Sequence, residues 1–268
     1  MRFLTFCIAL LWAVQVQAVE LQGKFTQGGL IFGKTSPDTK VTLDGRVLRV
    51  SPEGDFVLGF GRDAPPDVTL KIERPGQAAE ERKLKIKPRK YRIQRIDGLP
   101  RRMVTPPKSV LDRIKRENGE IAKLRAEDRP MVHFRGTWLR PSKGTVTGVY
   151  GSQRILNGKP RRPHFGIDFA TPTGTPVIAP AGGTVVLAHK DMYYTGGTII
   201  IDHGHGLTSA FLHLSAQSVE VGQSVARGQR IGAVGATGRS TGPHLDWRIN
   251  WFEHRIDPAF LLPAEALN

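Results

Sequence analysis

Cysteine is almost absent from this sequence: its 268 residues include one, Cys7. Cys7 lies inside an apolar N-terminal segment, too early and wrongly flanked to be a lipoprotein cysteine. A chain processed after this segment contains no thiol. This excludes a disulfide framework, a Cys₄ zinc site and a cysteine nucleophile.

A hydrophobic run long enough to cross the membrane comfortably is also missing from the N-terminus. Residues 3–14 are apolar and follow Arg2, but the stretch is too short for a transmembrane helix. Val16 and Ala18 supply small residues at the two positions that signal peptidase reads. We therefore predict that residues 1–18 are a signal peptide cleaved after Ala18, which leaves no stable membrane span and sends the chain to the periplasm or out of the cell. A retained N-terminal membrane anchor is the alternative.

Acidic residues are few, with 24 Asp and Glu against 39 Lys and Arg, for a formal net charge of +15. Such a balance suits an anionic partner: nucleic acid, an anionic membrane or an acidic cell-wall polymer. The charge is spread along the chain and no nucleic-acid recognition motif accompanies it, so we do not expect nucleic acid to be the partner.

No βαβ pattern appears, which disfavours a doubly wound parallel sheet. The sequence instead predicts a mostly β protein. In residues 19–87 the Asp44-Gly45 dipeptide lies between two apolar stretches and predicts a hairpin. Further short strands are predicted around Phe56–Leu58, Val68–Ile72 and Lys83–Ile86. About seven strands at this spacing are typical of a small immunoglobulin-like β-sandwich, which we interpret as a spacer or binding module.

Residues 88–135 are predicted to form a basic connector and one amphipathic helix. The helix should start near Pro106 and Pro107, because proline is tolerated in a first helical turn. Its apolar residues recur at helical spacing and predict packing on a neighbouring domain. They are Val110, Leu111, Ile114, Ile121 and Leu124. Residues 136–262 are again β-rich, with Gly and Pro between short strand-like segments.

Five His and Asp residues of the C-terminal half are candidates for a metal site. His164 and Asp168 are four residues apart with Gly166 midway, and His244 and Asp246 are two apart. Zinc accepts both ligand types, and a catalytic zinc needs only three from protein. In a straight strand the Cα atoms at i and i+4 lie roughly 13 Å apart, so the chain must bend or bulge near Gly166. At i and i+2, His244 and Asp246 share a face, so one can bind the metal while the other sits beside it.

Three segments in order resemble the signatures of the LytM/lysostaphin-type zinc metallopeptidases. They are His164-x-Gly166-x-Asp168, the strand end Ala210–Leu214 with His213, and the Gly235–Asp246 segment that ends in His244-Leu245-Asp246. The resemblance covers about residues 136–260 and implies a β-rich half-barrel, related to lipoyl-type domains, with zinc in a groove on the sheet.

By position, the resemblance implies that His164 and Asp168 are zinc ligands and that His213 and His244 are catalytic imidazoles. The third ligand of the family is the last His of a His-x-His motif, and this chain has Asp246 there. A carboxylate is an acceptable zinc ligand, although a shorter side chain requires the metal or strand to shift, or a bridging water. Asp246 is thus expected either to bind zinc or to orient His244.

The resemblance implies a secreted zinc endopeptidase that cuts peptide crosslinks of bacterial peptidoglycan, with the peptide stems as substrate and a regulatory protein as a further expected partner. The alternative is a catalytically silent module that binds peptidoglycan or activates another hydrolase. Lipoyl-type domains can also act as carriers, which requires a modifiable lysine at an exposed hairpin tip. Residues 219–234, which resemble part of such a domain, lack a lysine, so we do not expect a carrier domain.

Arg154 is interpreted either as a ligand for a peptide carboxylate or as a salt-bridge partner. His203 and His205 are interpreted as part of a turn between two strands.

Overall fold

A computed structural model describes residues 18–99 and 101–267. The predicted signal peptide, except for Ala18, lies outside these residues. The described chain consists mostly of strands, as predicted. No helix within the described ranges has the length and apolar character needed to cross a membrane.

The N-terminal part contains seven strands in two antiparallel sheets. One sheet has the order β1-β2-β5 and the other β4-β3-β6-β7; this differs from the immunoglobulin constant-type order, in which the fourth strand pairs with the fifth, because β4 joins the second sheet here. The strands are β1 (Glu20–Gly23), β2 (Leu30–Lys34), β3 (Lys40–Leu43), β4 (Arg46–Leu48), β5 (Asp55–Gly59), β6 (Asp67–Glu73) and β7 (Glu80–Lys85).

The predicted hairpin turn joins β3 to β4. Asp44 and Gly45 have φ values of 43° and 88°, as a two-residue type I′ turn requires. The Asp44 carboxylate also accepts a hydrogen bond of 2.7 Å from the Thr69 amide on β6. This bond ties the hairpin to the next strand of its sheet.

The connector contains a strand that the sequence analysis did not predict. This strand, β8 (Ile93–Ile96), pairs in parallel with β10 (Gln153–Leu156) of the C-terminal part. It is followed by α1 (Arg101–Val104), a 3-10 turn (Lys108–Val110) and α2 (Leu111–Ala126). The connector is therefore part of a sheet that also contains the C-terminal β10 and β11, the latter at Lys159–Pro160.

The predicted amphipathic helix is confirmed in α2, but the residues that pack on a buried apolar cluster come only from its C-terminal half. Ile121 and Leu124 contact a buried cluster that includes Val186 and Ile200. Leu111, in the first turn, is 47% exposed, and none of the α2 residues is fully buried. The apolar stripe therefore anchors the helix at one end.

The C-terminal part is built on one large sheet. Its strand order is β18-β14-β15-β16-β20-β12-β9, with β21 paired to β20, and a smaller sheet has the order β13-β19-β17. The remaining strands are β9 (Thr145–Gly148), β12 (Ile167–Ala170), β13 (Pro176–Ile178), β14 (Gly183–Met192), β15 (Gly196–Gly204), β16 (Leu207–Leu214), β17 (Ala216–Gln217), β18 (Ser224–Val225), β19 (Arg230–Ala233), β20 (His244–Trp251) and β21 (His254–Ile256). Two short 3-10 turns, Pro258–Leu261 and Ala264–Leu267, follow β21.

The centre of the large sheet fixes the relative positions of the candidate site residues. β15 and β16 are buried along their whole length, and Trp247 on β20 is fully buried beside them. Antiparallel pairing places Asp168 of β12 opposite Asp246 of β20, and Asp246 opposite Leu212 of β16. A side chain on β20 therefore has a neighbour from each adjacent strand on the same face.

Candidate metal centre

His164, Asp168 and Asp246 come together in a buried cluster. One ligand atom from each residue lies within 4.8 Å of the other two. Asp168 and Asp246 meet through the pairing of β12 with β20. His164 precedes β12 and is held by its backbone, since its amide donates to the Ser152 carbonyl at 2.8 Å and its carbonyl accepts from the Gly151 amide at 2.7 Å.

Three polar atoms of this cluster lack hydrogen-bond partners. Both ring nitrogens of His164 and the Oδ1 atom of Asp168 are buried without one. His164 Nε2 lies 3.1 Å from Asp168 Oδ1, and Nδ1 lies 4.0 Å from Asp246 Oδ2. Buried polar atoms are normally satisfied, and imidazole and carboxylate are ligands that zinc accepts. The three residues therefore fit a zinc ion in number, chemistry and placement.

Gly166 lies between two of these residues because no side chain fits there. A Cβ atom at this position would lie 2.4 Å from Asp246 Oδ1 and 2.6 Å from the Trp247 carbonyl oxygen. From the sequence we expected a bend at Gly166. Strand β12 does begin only at the next residue, Ile167, but glycine is required at position 166 because β20 approaches it closely.

Asp246 is held by Arg248, which lies two residues further along β20. The Arg248 Nε atom donates to Oδ1 at 2.9 Å and an Nη2 atom donates to Oδ2 at 2.5 Å. Burial alone would raise the pKa of Asp246, but Arg248 and His164 together lower it well below its usual value. Asp246 is therefore ionised, and its negative charge is offset by a guanidinium in a two-bond arrangement.

The hydrogen bonds from Arg248 help to distinguish the two expected roles of Asp246, which are to bind zinc or to orient His244. Within the described residues its carboxylate makes no hydrogen bond to a histidine, so the structure gives no bond by which it would orient His244. A carboxylate has about four lone-pair sites, so two hydrogen bonds from Arg248 leave capacity for a metal. Together Asp246 and Arg248 carry no net charge, as a neutral histidine ligand would.

His213, the penultimate residue of β16, has a left-handed backbone conformation, with φ of 66°. Such a conformation is uncommon for residues other than glycine and is often found at functional sites. Its Nδ1 atom lies 2.7 Å from the Thr237 carbonyl, which can only accept, so the proton is on Nδ1 and Nε2 carries the lone pair. Burial lowers the pKa of His213 to about 4, which keeps the ring neutral.

His244 opens β20 next to His213. The two ring centroids are 4.8 Å apart and the ring planes are inclined by 49°. The Nδ1 atom of His244 donates to the Gly242 carbonyl at 2.9 Å and lies 3.2 Å from the Ser240 hydroxyl. Both rings line one cavity of about 350 Å³, together with Asp168. The structure thus brings all five site residues to one place.

The basic connector forms one wall of this cavity, which the sequence analysis missed. Gln94, Ile96 and Leu99 all line it. The Ile93-Gln94-Arg95-Ile96 segment is too short and too basic for its pattern to predict a strand. Its pairing with β10 is a long-range contact that no local pattern encodes.

Arg154, on β10, takes the salt-bridge role of the two that were considered. Its Nη2 atom donates to Asp168 Oδ2 at 3.1 Å, and its Nε atom lies 3.4 Å from Gln94 Oε1. Arg154 therefore ties the connector to the metal cluster.

His203 and His205 do not belong to the site. His203 lies on β15, with its ring bonded to the Gly182 carbonyl and the Ser209 hydroxyl. His205 lies in the turn before β16 and packs edge-on against Phe134. Neither joins a metal-binding group among residues 18–99 and 101–267.

The sequence was compared with known families and proteins. Residues 162–258 match the sequence profile of Peptidase family M23. The peptidoglycan DD-endopeptidase ShyA of Vibrio cholerae is 48% identical over 109 residues, which are 40% of this chain and 25% of ShyA. The DD-carboxypeptidase/endopeptidase Mpg of Neisseria meningitidis is 47% identical over 107 residues, 40% of this chain and 24% of Mpg. The chain thus spans about a quarter of the length of each of these two relatives.

A solved structure resembles the chain over nearly its full length. It is a crystal structure of an M23 peptidase candidate from Pseudomonas aeruginosa, with a TM-score of 0.71 and 30% sequence identity. The match covers 90% of this chain and 96% of that one. The N-terminal sandwich, the connector and the large sheet are therefore found together in another protein.

Proposed function

This chain belongs to peptidase family M23, and on that premise we propose that it is a zinc metalloendopeptidase that hydrolyses peptide crosslinks of bacterial peptidoglycan. The observation that carries the proposal is the buried cluster of His164, Asp168 and Asp246, in which both ring nitrogens of His164 and the Oδ1 atom of Asp168 have no hydrogen-bond partner. The named relatives are peptidoglycan endopeptidases. The family segment that they share with this chain supports the proposal of the same activity here.

In this proposal each site residue has a separate role. Zinc held by His164, Asp168 and Asp246 would supply Lewis-acid activation of water and of the scissile carbonyl. The rings of His213 and His244 each keep Nδ1 bonded to a carbonyl, which leaves Nε2 to take a proton or to bind the substrate oxygen. Arg154 holds Asp168 in place.

We also propose a division of the chain into domains, in which one small sheet, β11-β10-β8, joins the connector to the peptidase domain. Residues 19–87 would form the sandwich domain, 88–135 the connector and helix, and 136–262 the peptidase domain. Residues 1–18 would direct the protein to the cell envelope, where its substrate lies. The basic charge suits an anionic polymer.

A silent module remains the second candidate, and one observation favours it. Both oxygens of Asp246 accept hydrogen bonds from Arg248, so a metal shares this carboxylate with a guanidinium. If the metal cannot compete, the chain would bind peptidoglycan without cutting it.

Metal analysis combined with digestion of purified sacculi tests the proposal. We expect one zinc per chain in protein purified without chelator, and conversion of crosslinked muropeptides to monomers on chromatography. The His244→Ala variant is the matched control: it should keep its zinc and lose turnover, because His244 lies outside the ligand cluster. Substoichiometric metal that added zinc does not restore, with intact sacculi, would support the silent module.

A further inference from the structure

A second cavity, of about 400 Å³, lies between α2 and the large sheet. Its floor includes Ala210 and Leu212 of β16 and Arg248 of β20, and α2 contributes Ile121 and Arg125. The proposed catalytic histidines do not line it. It is therefore separate from the cavity that contains His213 and His244.

This second cavity is next to the metal cluster. Asp246, Arg248 and Asn250 alternate along β20, so their side chains lie on one face of the sheet, and their Cα atoms are about 6.6 Å apart in succession. Arg248 holds Asp246 and also lines the cavity. The metal cluster thus borders the first cavity through Asp168 and is joined to the second through Arg248.

Four guanidinium groups surround this cavity, and three have no acidic partner. They come from Arg125, Arg162, Arg248 and Arg255. Only Arg248 is paired with a carboxylate among the described residues. Arg255 donates to the Asn250 side-chain oxygen at 3.0 Å. The one carboxylate in the lining, Glu253, pairs with Arg46 at 2.6 Å instead.

The positive groups lie close enough to affect one another. The Nε atom of Arg125 is buried without a hydrogen-bond partner. Burial and the neighbouring Arg248 and Arg162 lower the pKa of Arg255 to about 10. Burial, together with Arg255 and Arg248, also lowers the pKa of Arg125. A buried donor without an acceptor is costly, and an anion in the cavity would remove this cost.

We propose that this cavity binds a free carboxylate of the peptide substrate, beside the bond that is cut. The inference rests on the proposed function, because peptidoglycan stem peptides carry free carboxylates. Guanidinium groups match a carboxylate in geometry and bind it with two parallel hydrogen bonds. The apolar side chains of Ile121 and Leu212 fit the aliphatic part of the same residue.

Binding of crosslinked muropeptide dimers tests the proposal. Dimers with free carboxylates are compared with the same dimers after amidation, on zinc-loaded His244→Ala protein at about 0.15 M salt, where long-range charge is screened. We expect the acid form to bind at least about tenfold more tightly, the effect of one hydrogen bond between charged groups. Arg255→Gln should remove most of this preference.

Two further variants control the result. Arg227→Gln changes an exposed arginine elsewhere, which donates to Thr137, and should keep the full preference. Arg162 is exposed and forms no ion pair with a described carboxylate, so Arg162→Gln should fold normally and still reduce the preference even if Arg255→Gln does not fold.

Equal affinity for acid and amidated dimers would overturn the proposal. So would a loss of preference for the acid form in Arg227→Gln as large as that in Arg255→Gln. The two proposals fail separately. If sacculi stay uncut but the preference for the acid form is preserved, only the proposed peptidase activity is refuted. If sacculi are cut but there is no such preference, only the proposed carboxylate site is refuted.

Discussion

Replacing Arg248 with glutamine should expose how the buried Asp246 is stabilised. Asp246 is 1% exposed and its negative charge is held by two hydrogen bonds from Arg248. Arg248→Gln keeps a polar side chain of similar reach but removes the positive charge. In metal-free protein, Asp246 would then remain buried without a counter-charge.

The size of the effect follows from the burial. Breaking a buried ion pair by removing one partner costs about 3–5 kcal/mol, so we expect Arg248→Gln to lower the free energy of unfolding of the metal-free protein by about that amount. An exposed pair costs at most about 1 kcal/mol when broken. Lys85→Gln breaks such a pair with Asp67, in which the two side chains are 78% and 49% exposed, and is the matched control.

Zinc should rescue the Arg248→Gln protein, because a bound cation replaces the lost positive charge. Free zinc at a hundredfold excess over its dissociation constant would add about 2.7 kcal/mol. The assay is guanidinium unfolding with chelator and with zinc, for both variants and the unsubstituted chain. The double variant Asp246→Asn with Arg248→Gln removes both charges and should recover much of the stability in chelator.

Two results would refute this reasoning. One is a decrease of less than about 1 kcal/mol in the free energy of unfolding of Arg248→Gln in chelator, which is no more than breaking an exposed ion pair would cause. The other is a double variant as unstable as Arg248→Gln alone, which would mean that the lost charge on Arg248 was not what mattered.

Three further predictions concern single residues. Asp246→Ala should weaken zinc binding at least about tenfold by competition against a chelating dye, because one of three ligands is lost; unchanged affinity would show that Asp246 is no ligand. Gly166→Ala should lower zinc occupancy, because its Cβ would lie 2.4 Å from Asp246 Oδ1, whereas Gly119→Ala, on the open face of α2, should keep it. Burial lowers the pKa of His203 to about 4, so the unfolded chain binds a proton at this residue first as pH falls below 6.5. His203 alone should then remove roughly 3 kcal/mol from the free energy of unfolding by pH 4, in addition to the loss from His213, whose pKa is lowered in the same way. In His203→Gln the contribution of His203 should be absent, and a curve parallel to that of the unsubstituted chain would contradict the assignment.

Much of the fold could be predicted because its signals are local. The Asp44-Gly45 turn needs two residues with positive φ, and few sequences accept that. The amphipathic stripe of α2 could also be predicted from the sequence, although its packing at only one end could not. Strand alternation in β6 reflects one buried face. These features depend on neighbours within a few positions along the chain.

The parts that escaped prediction depend on contacts between distant residues. Arg248 clamps Asp246 from two positions away on a face that only the sheet defines. Gly166 is required by the approach of β20, about eighty residues further on, and not by its own backbone angles. Strand β8 exists because β10 offers it an edge. The metal cluster could nevertheless be predicted, because the family motifs that contain its residues are defined by residue types at fixed spacings along the chain.

The strand β8 also affects how the protein can be divided for study. A protein that starts at residue 136 would keep all three proposed zinc ligands and both histidines. It would lose the cavity wall formed by Gln94, Ile96 and Leu99 and, with α2, the guanidinium of Arg125. Such a fragment would have a wider cleft than the whole chain, so activity measured on it would report broader substrate acceptance than the intact protein has.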